Sequence, residues 1–89
     1  MKILEYTKRT LPKTDTEITY SVIVDELKND DGITAAESYG IAISISPENE
    51  KLIRGITTDC GEIIRMIEKF AECSVTPITL YDVVIDWLG

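Results

Sequence analysis

Two thiols, Cys60 and Cys73, and sixteen carboxylates offer this 89-residue chain most of its scope for chemistry; histidine is absent. Without imidazole the commonest general acid–base and the commonest zinc ligand are both missing. A Ser-His-Asp or Cys-His centre cannot be assembled within one chain. Two cysteines alone also fall short of a four-ligand Cys/His zinc site. The carboxylates remain. Glu5, Glu17 and Glu37 fall in segments that alternate like strands, and a convergent pair would suit acid–base work or a divalent cation. With so many acids in so short a chain, scattered neighbours on a solvated sheet face are the simpler expectation. Asp25-Glu26 and Asp30-Asp31 lack the spacing of a twelve-residue calcium loop. Gly61 is a lone glycine beside an acid, which disfavours phosphate. The residues therefore predict no catalytic, cofactor-binding or metal site. A small-ligand-binding protein or a carboxylate-based metal-dependent enzyme is the alternative.

Charge narrows the partners. The net charge is -7, which argues against nucleic acid and against an anionic membrane surface. Basic residues cluster only at Lys8-Arg9, with Tyr6 nearby as weak support for base stacking. No stretch of about 18 apolar residues is present to span a membrane. Glu5 interrupts the N-terminal apolar residues before a signal core can form, so a cytoplasmic protein is expected. The length suits one domain over residues 1–89.

These side chains must be positioned by strands first and helices second. Lys2–Thr10 alternates loosely, with Leu4, Tyr6 and Lys8 expected on one side. After a Pro12-containing turn, Ile18, Tyr20, Val22 and Val24 fall on one face of a strand. Asp31-Gly32 marks a hairpin turn. In the next run Tyr39, Ile41, Ile43 and Ile45 share a face, against the small residues Ser38, Gly40, Ala42 and Ser44. Lys51–Thr57 is expected to be a short fourth strand, with Gly55 as a bulge. An antiparallel β-meander of three to four strands results. The period then changes. Asp59 and Glu62 resemble a capping box, with Thr58 a rival cap, and Cys60, Ile63, Ile64, Ile67, Phe70 and Ala71 recur at helical spacing. On one helix over residues 59–73, the two thiols would stand roughly 20 Å apart. That is too far for a disulfide, and two buried or half-buried thiols are expected.

A second helix should start at Thr76-Pro77, with Val75 and Leu80 as its hydrophobic staple. Leu80, Val83, Val84, Trp87 and Leu88 form the expected core stripe. The fold class is α+β: the meander followed by two C-terminal helices packed on one sheet face. The second helix carries more apolar surface than that packing uses. Ile78, Tyr81 and Ile85 make a further stripe at i, i+3 and i+7, leaving Thr79, Asp82 and Asp86 in a narrow polar arc. Either the helix sits deep in its own fold, or the stripe is a partner interface, most simply that of a homodimer. A small-molecule groove is the third option. Asp82 and Asp86, four apart, repel unless a partner or a sheet cation (Arg9, Lys13 or Arg54) compensates.

Thr76-Pro77-x-x-Leu80-x-Asp82-Val83-Val84-x-Asp86-x-Leu88 resembles the closing motif of a family of small uncharacterised bacterial proteins, a domain of unknown function largely from anaerobic Gram-positive bacteria. Tyr39-Gly40-Ile41-x-Ile43 and Ile56-x-x-Asp59 resemble two earlier motifs of that family, and the resemblance spans residues 17–88. The sequence departs from the pattern at Thr79, where the resemblance implies a His in many relatives, and at Ile85, where it implies an acid more often. The resemblance implies a fold and no activity. The functional expectation is a non-catalytic protein-interaction or regulatory module without a cofactor.

Overall fold

Alternating apolar residues separated by turn-forming clusters give four antiparallel strands in the computed structural model, which describes residues 1–89. The strands are β1 (Lys2–Leu11), β2 (Thr16–Lys28), β3 (Thr34–Ser46) and β4 (Asn49–Thr57), paired in chain order. α1 (Cys60–Glu72), a 3-10 turn (Pro77–Thr79) and α2 (Leu80–Leu88) follow. The α+β meander with two C-terminal helices is thus the observed architecture, and the fourth strand is paired. In the β2–β3 turn the side chain of Asn29 accepts from the amides of Asp31 and Ile33, while Gly32 takes φ +77°. Asn29 therefore organises that turn together with the Asp31-Gly32 pair.

Register follows the apolar alternation. Tyr20 faces Ile43, Val22 faces Ile41 and Val24 faces Tyr39. A one-residue slip would move this whole set to the other side of the sheet. The helices cover that side. Ile18, Tyr20, Ile41 and Ile43 meet Ile63, Met66 and Ile67 of α1, all with no exposed surface. Buried Tyr20 donates its hydroxyl to the Val75 carbonyl at 2.8 Å, so the segment joining the helices is tied to the sheet. Burial holds the Tyr20 phenol above its ordinary pKa.

Two irregularities reshape the sheet. In β1 the pairing passes from Glu5–Ser21 directly to Thr7–Tyr20, so Tyr6 is an extra, bulged residue. Beyond it the faces exchange. Lys8 pairs with Thr19 on the side away from the helices, and Arg9, opposite Ile18, donates to the Ala71 carbonyl of α1 at 3.0 Å. The expected grouping of Lys8 with Leu4 and Tyr6 is therefore corrected. In β4, three residues, Arg54, Gly55 and Ile56, stand against the single residue Gly40, between the Ile41–Ile53 and Tyr39–Thr57 pairs. Gly55 has φ +65° there, as a bulge position requires. A Cβ on Gly40 would collide with the Ile53 carbonyl oxygen, so only glycine fits.

This bulge directs Arg54 over β3 toward Asp25 of β2, with guanidinium–carboxylate contacts of 2.7 and 3.0 Å. The side chain crosses the row of Ser38 and Gly40, where large residues would block it. Arg54 holds the Asp25 carboxyl below its ordinary pKa through these hydrogen bonds.

α1 is well terminated. Asp59 accepts from the Glu62 amide at 3.2 Å, which is the expected cap. The other half of the box is not formed by Glu62: the Asp59 amide donates to the Thr57 hydroxyl instead. At the C-terminal end Ser74 adopts φ +53°, the Ser74 amide bonds to Ala71 and the Val75 amide to Phe70. That is a Schellman ending with serine where glycine is usual.

Candidate interaction surface

Pro77 enters the last segment at the first position of a 3-10 turn, and α2 proper starts only at Leu80. Thr76 makes no side-chain cap to a backbone amide; the Thr79 amide and hydroxyl both return to the Thr76 carbonyl. α2 has nine residues, and only Leu80 and Val84 are buried, with Val83 half-buried against the core. Trp87 and Leu88, expected in the core stripe, are exposed instead. Trp87, at 38% exposure, is partly held by an edge-to-face contact with Phe70, ring centroids 6.1 Å apart.

Ile78, Tyr81 and Ile85 all lie outside the core, at 83%, 61% and 48% exposure. The chain's own fold does not cover the stripe, which corrects the reading of a helix sunk deep within it. The physical reason is layering: a helix on one side of a single sheet can offer only one side to the core, and Leu80 and Val84 occupy it. Ile78 also borders a shallow depression with Pro77, the turn residue Glu48 and the first β4 residues Asn49, Glu50 and Lys51. Asp82 and Asp86 are exposed and make no ion pair. The three candidate cations do not relieve them: Arg54 holds Asp25, Arg9 bonds Ala71, and Lys13 makes no ion pair.

The chemistry candidates disperse. Lys8 lies between Glu5 and Glu17 at 3.9 and 3.4 Å, so these two carboxylates share a cation on the outer side of the sheet. Glu37 is elsewhere, opposite Glu26 on β2. Asp25 sits with Arg54 and the N-terminal amine in an open depression of about 420 Å³, where its charge is already matched. Cys60 and Cys73 are both exposed, against expectation, because they occupy the first residue and the C-cap of α1 rather than its packed middle.

The family model for a family of unknown function, DUF6514, matches residues 1–89. The chain belongs to DUF6514. The match includes β1, which lies outside the motifs at residues 39–88 that carry the sequence resemblance. No curated protein matches the chain, and no solved structure does. No helix of this DUF6514 chain is long and apolar enough to cross a membrane.

Sequence periodicity found the α2 stripe but missed a second apolar opening, between α1 and strands β1–β3. Its signal was present in Leu4 and Tyr6, apolar residues on an edge strand, and in Ile64 at the margin of the α1 stripe.

Proposed function

We propose that this DUF6514 chain is a small cytoplasmic, non-catalytic interaction module that pairs with a second copy of itself through Ile78, Tyr81 and Ile85. The supporting observation is the exposure of that stripe beside a helix whose core-facing side is already filled. Covering the three side chains would contribute several kcal/mol, at about 1.5–3 kcal/mol for each one fully buried. A two-fold arrangement brings the same stripe from both copies together, and it is the commonest form of oligomer. The unpaired Asp82 and Asp86 flank the stripe and would stay at the rim, where charge is solvated.

Sedimentation velocity from low to high micromolar concentration tests this. The expected result is a reversible dimer for the native chain and monomers for Ile78→Glu and Ile85→Glu, with unchanged thermal midpoints at low concentration. A native chain that stays monomeric throughout would overturn the proposal.

A further inference from the structure

The helix-facing side of the sheet is not fully covered. At the N-terminal end of α1 an apolar trough of about 190 Å³ remains, walled by Leu4, Tyr6, Val24, Tyr39, Cys60 and Ile64. Leu4 and Tyr6 are 54% and 40% exposed. The walls are held in place by polar contacts at their outer ends. Tyr6 donates its hydroxyl to Glu68 Oε1 at 2.6 Å, and Tyr39 donates to Glu37 Oε1 at 3.4 Å. Cys60 is fixed as the first residue of a helix capped by Asp59.

The same contacts set the charge of the rim. They place Glu68 beside one tyrosine and Glu37 beside the other. Glu26 lies directly opposite Glu37, and Asp59 adjoins Cys60. Like charges facing each other across an antiparallel pair are unfavourable. Lys28, 3.9 Å from Glu26, Lys2, opposite Val24, and Arg65, whose guanidinium lies near Asp59 over Gly61, offset part of this charge and leave Glu37 and Glu68 without an ion pair. A carbon-lined trough is thus bordered by an excess of carboxylates.

We infer that the trough receives one bulky apolar side chain, such as Leu, Ile or Phe, carried on a Lys/Arg-flanked segment of a partner protein. Volume sets the size of the anchor: an apolar cavity of roughly 150 Å³ holds one benzene, and drug-sized ligands need roughly 300 Å³ or more. The rim sets the flanks, since complementary charge governs association rate and partner choice. A fatty acid would bring its carboxylate against Glu37 and Glu68, which disfavours it. This surface shares no residue with the α2 stripe, and neither reading depends on the other.

The two thiols supply the test. Cys60 lies in the trough wall and Cys73 at the opposite end of α1, and both are exposed. Their alkylation by iodoacetamide is followed by mass spectrometry in the presence of short peptides with one Leu anchor flanked by Lys, Ser or Glu. The Lys-flanked peptide should slow Cys60 alkylation several-fold and leave Cys73 unchanged. High salt, or the double substitution Glu37→Gln and Glu68→Gln, should remove most of that protection. Ile85→Glu should leave it intact. Equal protection by Lys- and Glu-flanked peptides would overturn the inference. So would protection by octanoate alone, or none at millimolar Lys-flanked peptide.

Discussion

α1 and α2 are both apolar helices above the same sheet, yet they are built differently. α1 has thirteen residues and buries Ile63, Met66, Ile67, Phe70 and Ala71. Its polar residues fall on the opposite side, with Glu62 in the first turn, where a carboxylate suits the helix dipole, and Lys69 and Glu72 opposing each other in the last. α2 buries two of nine residues and has no side-chain cap. Asp82 in its first turn suits the helix dipole and Asp86 near its C-terminal end opposes it, with no lysine or arginine in the last turn. Apolar content alone does not measure burial. α1 divides its apolar and polar residues by side, and the fold uses the apolar side whole. α2 is apolar on most sides, and one sheet has room for only one of them.

Truncation at equivalent residue types should show this difference most sharply. Ile67→Ala removes a side chain with no exposed surface and should cost about 2–5 kcal/mol. Ile85→Ala removes one that is half exposed and should change the monomer's stability by less than about 0.5 kcal/mol. Urea unfolding of both variants, at a concentration low enough to hold them monomeric, checks the contrast. Similar losses would mean that α2 is as much a part of the core as α1.

The strict alternation of β2 and β3 made their faces legible, because a one-residue slip would put Ile18, Tyr20, Ile41 and Ile43 in water. The bulge at Tyr6 was not legible. Residues around it are polar or amphipathic on either side, so nothing in the pattern marks where the faces exchange. The Arg54–Asp25 pair was equally hidden, since it joins strands that are not neighbours and depends on Gly40 leaving a path. Spacing did identify Ile78, Tyr81 and Ile85 as surplus to a one-sided core. It could not say whether another layer of the same chain lay over them. Periodicity reports which residues share a side, and only the tertiary arrangement decides what that side meets.

The helix starts offer a second, smaller contrast. Asp59→Ala deletes the side-chain acceptor for the Glu62 amide and should cost about 1 kcal/mol. Thr76→Ala deletes a hydroxyl that caps no backbone amide, and should cost only a few tenths of a kcal/mol, a typical surface effect. Thermal midpoints should differ accordingly, by about 4–8 °C for the first and little for the second. An equal loss at Thr76 would show that the 3-10 entry is a firmer cap than its hydrogen bonds suggest.

The connection between the two helices gives a contrast that is read from pH dependence. Tyr20 must keep its proton to donate to Val75, and its pKa is raised in the fold chiefly by burial. A raised folded pKa stabilises the protonated state of the fold. Its contribution is complete below the unfolded tyrosine value of about 10, and declines as pH rises through the higher folded value. The native chain should therefore lose stability on the alkaline side in step with Tyr20 ionisation. Tyr20→Phe should start less stable at neutral pH, because the Val75 carbonyl loses its donor, and should lack that alkaline component. Denaturant unfolding of both proteins from neutral to strongly alkaline pH separates the two effects. Parallel pH profiles would place the alkaline loss in other groups and leave Tyr20 with a purely packing role.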